Sequence, residues 1–164
     1  MGLEIERKFL PAERPDWLAG RTAERIEQGY LALGEAEQVR LRSADDRRLL
    51  TVKRGEGAVR EEVEIGLDEA QFQALWPLTE ARRLRKTRYR VPLEGGLEAE
   101  VDAYEGGLDG LLVAEVEFDS QEQSRDFEPP PWFGGEITGD PRYSNRRLAV
   151  DGPPMPGLRR GGNM

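Results

Sequence analysis

Along most of the chain apolar and charged residues alternate one for one, in short runs bounded by Gly, Asp or Pro. A period of two is the mark of strands that bury one face. It predicts eight of them: Gly2–Phe9, Thr22–Leu33, Glu37–Ser43, Arg47–Arg54, Val59–Ile65, Arg82–Pro92, Leu97–Glu105 and Leu111–Phe118. Asp45-Asp46, Gly55-Glu56-Gly57, Gly95-Gly96 and Gly106-Gly107 supply turn chemistry between them. Asp68 caps a helix over Glu69–Trp76, with Phe72, Leu75 and Trp76 on one side, and Ser120 caps a shorter one through Phe127. Beyond the stiff Glu128-Pro129-Pro130-Pro131, Trp132 and Phe133 read as packing anchors, and Ile137–Val150 as a last strand or a lid over one end. The expected class is α+β, mostly β: an eight-stranded antiparallel barrel with a few flanking helices. Residues 1–150 form its one domain, and residues 151–164, rich in Gly, Pro and Arg, a disordered tail.

Splitting each strand by parity separates its chemistry. Val39 and Leu41 oppose Arg40 and Arg42; Tyr89 and Val91 oppose Lys86, Arg88 and Arg90; Val116 and Phe118 oppose Glu115 and Glu117. The same division sets Glu4, Glu6 and Lys8 apart from Leu3, Ile5 and Phe9, and Lys53 apart from Val52. Glu62 and Glu64 separate from Val63, and Glu100 and Asp102 from Val101. A polar face turned to water is the ordinary state of an antiparallel sheet. Here, however, that face is almost wholly ionised, its signs are segregated by strand, and like charges two apart repel unless a counter-charge sits between them. The interior of a closed barrel answers all three points, with cations quenching the carboxylates and an anion quenching the guanidinium groups. Its apolar face would then point outward under the helices and tail, the reverse of most small barrels.

Composition narrows the chemistry. The 164 residues carry a formal charge of −8, which excludes a general binder of nucleic acid or anionic membrane but not a locally basic cavity. There is no Cys and no His, so thiolate or imidazole metal sites and Ser-His-Asp catalysis are excluded. Any metal would be a hard cation on oxygen ligands. No apolar run approaches membrane-spanning length and the first ten residues are charged, so the expected compartment is the cytoplasm. No P-loop or dinucleotide fingerprint is present.

Glu4-Ile5-Glu6-Arg7-Lys8 resembles the ExExK signature of the CYTH family, the triphosphate tunnel metalloenzymes. The likeness continues in order through Gln28-Gly29-Tyr30-Leu31, Val39-Arg40-Leu41-Arg42, Thr51-Val52-Lys53 and Arg60-Glu61-Glu62-Val63-Glu64. It runs on through Lys86-Thr87-Arg88-Tyr89-Arg90, Glu100-Val101-Asp102, Ala114-Glu115-Val116-Glu117 and Tyr143-Ser144-Asn145. The resemblance implies a tunnel in which Glu4, Glu6, Glu115 and Glu117 hold Mg²⁺ or Mn²⁺, taken as two ions. Lys8, Arg40, Arg42, Lys53, Lys86, Arg88 and Arg90 would grip phosphate oxygens. Glu62, Glu64, Glu100 and Asp102 would either order metal-bound waters or hold the basic residues in place. Tyr30 matches a tyrosine that pairs with the signature lysine, here Lys8.

The residue types suit that chemistry independently. Arg forks match phosphate geometry, oxygen-bound cations neutralise it, and phosphoryl transfer needs positioning more than a histidine. The proton acceptor is either a water acidified by the cation or Tyr30 beside Lys8; Tyr30 could equally just close one end of the barrel. The implied activity is hydrolysis of inorganic triphosphate, tripolyphosphate to pyrophosphate and phosphate. Three other readings remain: a class IV-type adenylate cyclase, a thiamine or nucleoside triphosphatase, and a polyphosphate-binding module without turnover. The expected partner is a small anionic substrate, and monomer or homodimer stays open.

Overall fold

The computed structural model describes residues 5–56 and 59–154, with the side chains of residues 56, 59 and 60 outside the description. Glu4, the Gly57 end of one hairpin turn and residues 155–164 of the expected tail lie outside the described residues. The eight expected strands all form: β1 (Ile5–Leu10), β2 (Thr22–Leu33), β3 (Glu37–Ala44), β4 (Arg47–Glu56), β5 (Val59–Gly66), β6 (Arg83–Pro92), β7 (Glu98–Tyr104) and β8 (Leu112–Phe118). A two-residue β9 (Gly135–Glu136) adds to them. Among the described residues they make one antiparallel sheet in the order β5-β4-β3-β2-β6-β7-β8-β1-β9. Two meanders, β2 to β5 and β6 to β8, thus meet where β2 pairs with β6, and β1 returns beside β8.

The sheet is open rather than closed. β1 spends its free edge on β9, with Phe9 opposite Glu136, and β5 is left as the far edge. The mostly antiparallel architecture with a few helices is as expected; closure and the ninth strand are where it differs.

Helix α1 (Glu69–Leu75) starts on a capping box: Asp68 accepts from the Gln71 N–H while the Gln71 side chain bonds the Asp68 N–H. It feeds a 3₁₀ turn that sets Thr79 over Gly29 of β2, where a Cβ would stand 2.6 Å from the threonine oxygen. Only glycine permits that approach. Helix α2 (Gln121–Asp126) is capped by Ser120 as expected. Ile137–Val150 does not form the last strand. After turns it forms α3 (Asn145–Asp151), capped by Ser144, whose hydroxyl accepts from the Arg147 N–H.

Apolar residues of β1, β6, β7 and β8 pack under the turn bearing Leu18, under Phe127 and under the tail aromatics. Phe133 is fully buried with its ring centroid 4.8 Å from that of Phe9, and Trp132 meets Trp17 edge-on. The expected outward apolar face is covered on this half of the sheet. On the other half Val52, Val63 and Ile65 stay exposed. Arg7, on the covered face, ties the tail down by pairing with Glu136 and donating to the Ser124 and Phe127 carbonyls.

Candidate active site

Strand register decides which charges share a face. Glu6 stands opposite Glu117 and Lys8 opposite Glu115; Glu115 in turn faces Glu100. Asp102 faces Arg88, Glu100 faces Arg90, and Lys86 faces Tyr104. Across β2, Lys86 meets Ile26 and Leu84 meets Gln28; Gln28 faces Arg42, and Tyr30 faces Arg40. Arg40 faces Thr51, which faces Glu64, and Lys53 faces Glu62. Because Cβ direction alternates along each strand, every expected site residue within the described residues lies on one side of one sheet. The carboxylates cluster on β1 and β8 and the cations on β6 and β3.

One end of this face is closed. One step beyond the charges the same parity brings Leu10, Leu84, Tyr104 and Val113, and Leu148 of α3 packs on them. Tyr104 donates to the Asn145 side chain at 2.7 Å, and Arg146 reaches the Gly34 carbonyl of the β2–β3 turn. α3 therefore spans that end from β7 to β3. Near the opposite end a cleft of about 280 Å³ is lined by acids, Glu98, Glu100, Glu115, Glu117 and Asp119 among them.

The basic residues are held in two ways. Asp102, buried, accepts from Lys86 Nζ at 2.7 Å and from Arg88 Nε and Nη2 at 2.8 and 3.0 Å. Burial pushes its carboxyl up, but the adjacent lysine and guanidinium outweigh that and hold it below the usual range. Burial dominates for Lys86, which falls to about 8 despite the same contact. Glu100 bridges Arg88 and Arg90 at 3.2 and 3.0 Å. Between the two open roles for Glu100 and Asp102, these contacts favour holding the cations. Thr51 donates to Glu64, while Glu62 and Glu64 sit exposed on the edge strand.

The second group is short of anions. Arg42 is pulled down to about 10, first by burial and then by the positive charges of Arg40 and Arg88. Arg40 Nε is buried without a partner. Two guanidinium groups so placed, Arg40 and Arg42, call for an anion beside them.

At the acidic end Glu115 is pushed up to about 8, by burial first and then by a hydrogen bond to Glu6 and that residue's charge. Two carboxyl groups can hydrogen-bond only by sharing a proton, a place a divalent cation would take. The all-oxygen donor set fits such a cation, although no three acidic side chains among the described residues are drawn together tightly enough to hold one unaided. Glu4 is outside them.

Tyr30 meets neighbours the resemblance did not name. Its hydroxyl accepts from Gln28 Nε2 at 3.0 Å and feels the charge of Arg40. Lys8 lies on β1, four strands away in the sheet order, and Glu115 feels its charge. Burial raises the Tyr30 phenol above its ordinary value, against the pull of Arg40 and Arg42, so the lowered proton affinity expected for a base is not found. Gln28 and Glu24 were missed by charge alternation, although their parity places both on this face. Glu24 accepts from Arg47 at 3.1 Å and lies 3.8 Å from Arg90.

The family model for the CYTH domain matches residues 2–138. The chain belongs to the CYTH family. Among its CYTH relatives, an inorganic triphosphatase of Nitrosomonas europaea is 44% identical over 151 residues, which cover 92% of this chain and 99% of that one. Another, from Acetivibrio thermocellus, is 38% identical over 152 residues, 90% of this chain and 94% of that one. A crystal structure of an inorganic triphosphatase, 43% identical, superposes with a TM-score of 0.76 over 93% of this chain and 98% of that one.

Proposed function

We propose that this CYTH protein hydrolyses inorganic tripolyphosphate: water adds to a terminal phosphorus, the P–O–P bond breaks, and pyrophosphate leaves beside orthophosphate. The observation that carries this is the anion-poor pair Arg40 and Arg42, with Arg40 Nε buried and unpartnered among the described residues. A phosphate chain supplies the missing acceptors along its whole length. The two full-length relatives named for this activity support the same reading.

Arg40, Arg42, Arg88 and Arg90, with Lys8, Lys53 and Lys86, bind the phosphate oxygens. Asp102 and Glu100 keep Arg88 and Arg90 extended toward them. Glu6, Glu115 and Glu117, with Glu4, would hold Mg²⁺ or Mn²⁺. When bound, that cation neutralises phosphate charge and acidifies water. Tyr30, raised above its ordinary value first by burial, serves as a ligand of the substrate, and a water acidified by the cation as the proton acceptor. Phosphate release from tripolyphosphate, ATP, thiamine triphosphate and pyrophosphate, with Mg²⁺ and Mn²⁺ in turn, tests the proposal. Tripolyphosphate is expected to turn over fastest; no release from it with either ion would refute the reading.

A further inference from the structure

We propose that Gln28 is a positioning residue that fixes the Tyr30 hydroxyl as a hydrogen-bond donor to a phosphate oxygen of the bound substrate, an inference that rests on the triphosphate reading above. Arg42 Nε lies 2.9 Å from one terminal atom of the buried Gln28 amide. Arginine can only donate, so that atom is the carbonyl oxygen. The other terminal atom is then the NH₂ group, and it points at the Tyr30 oxygen 3.0 Å away. The positive charge of Arg40 lies beside the same oxygen. With the amide donor aimed at its oxygen, the phenol cannot satisfy that group with its own proton. Among the described residues the hydroxyl, on a side chain only 1% exposed, donates to no acceptor.

A buried O–H without an acceptor is costly, and the face it lies on gathers Arg40 and Arg42. The acceptor that fits is the anion those guanidinium groups bind. Gln28 therefore carries the polarity of Arg42 across to Tyr30. Glutamate at this position would still accept from Arg42 but could only accept from Tyr30, turning the phenol proton away from the substrate.

The test is a double-mutant cycle in the full chain with Gln28→Glu, Tyr30→Phe and the pair, read in kcat/KM for tripolyphosphate. Each single change is expected to lower it about 10- to 100-fold, the range for losing one hydrogen bond to a charged group. Added charge at position 28 acts in either background, whereas the orienting role vanishes once the hydroxyl is gone. Gln28→Glu should therefore cost several-fold less in the Tyr30→Phe background; an equal cost in both overturns the proposal. The Tyr30→Phe rate should keep the wild-type rise with pH, and loss of that acidic limb would make Tyr30 the base and overturn the donor role. If Gln28→Glu does not fold by thermal melting, Gln28→Met completes the same cycle with the same criterion. A wild-type protein that binds tripolyphosphate without hydrolysing it refutes the proposed function alone, and the cycle is then read in Kd. One that neither binds nor hydrolyses it overturns both.

Discussion

Asp102 is the residue on which the cationic strand depends, because Lys86 and Arg88 both lean on its two oxygens. Removing one partner of a buried ion cluster strands the others, at about 3–5 kcal/mol. Asp102→Asn is expected to lose stability on that scale in urea unfolding, and to weaken tripolyphosphate binding. The sign of the pH effect follows from the lowered carboxyl. Its stabilisation is complete above the ordinary value of about 3.9 and is lost as pH falls below it. Wild-type stability should drop with acid in that window, and the variant should show less of that drop. Glu6→Gln and Glu117→Gln, by contrast, should fold and nearly abolish turnover; a folded variant at near wild-type rate would remove them from cation binding. At this scale alternation alone placed Lys86, Arg88, Glu100 and Asp102 on one face, since parity needs no knowledge of partners. It could not say that Asp102 serves Lys86 and Arg88, because that depends on register between strands. Gln28, though part of the Gln28-Gly29-Tyr30-Leu31 match, received no role, because an uncharged amide leaves no mark in a pattern of charges.

Elements were legible where a period or a cap announced them. Asp68 and Ser120 started their helices as expected, and each of the eight strands formed within about two residues of its expected ends among the described residues. The segment after Gly134 was harder, for α3 is only seven residues long and its identity rests on the Ser144 cap and on burial of Leu148. Neither shows in so short a pattern. The tail enters its docked course through Gly134, at φ 72°, where a Cβ would lie 2.2 Å from the Leu10 carbonyl oxygen. Gly134→Ala should cost at least about 1 kcal/mol through that backbone, measured by thermal melting. Deleting residues 152–164 should change stability and rate little. Deleting from Gly134 onward uncovers Leu10, Leu84, Tyr104 and Val113 and should damage folding or activity; indifference to it would refute α3 as the closing element.

For the whole molecule, the charged face selects by what it lacks. Its aromatic members are Tyr30, engaged by Gln28, and Tyr104, engaged by Asn145, so neither offers a free slot for a base. Seating adenine among ionised groups would strip them of water. Tripolyphosphate should therefore show the higher kcat/KM and ATP should yield no cyclic AMP; side-by-side kinetics with product analysis would show otherwise if a base rests outside. Closure was the one global feature that strand patterns could not reveal. Whether β1 meets β5 or β9 depends on how the entire sheet curves, and no local run of residues records that.

The free edge at β5 also bears on how the protein behaves when crowded. A strand left without a partner on one side among the described residues, whose outer face shows Val63 and Ile65 beside Val52, is a template on which a neighbouring chain could add its own strand, the first step toward a precipitate. Glu61, Glu62 and Glu64 stand along that same edge. Two such edges meeting would press glutamate on glutamate, so the carboxylates act as a colloidal guard. Glu61→Val would join the exposed valines into an unbroken apolar strip and remove the Arg54 pair. Light scattering of concentrated solutions should then rise with time while the wild-type protein stays clear.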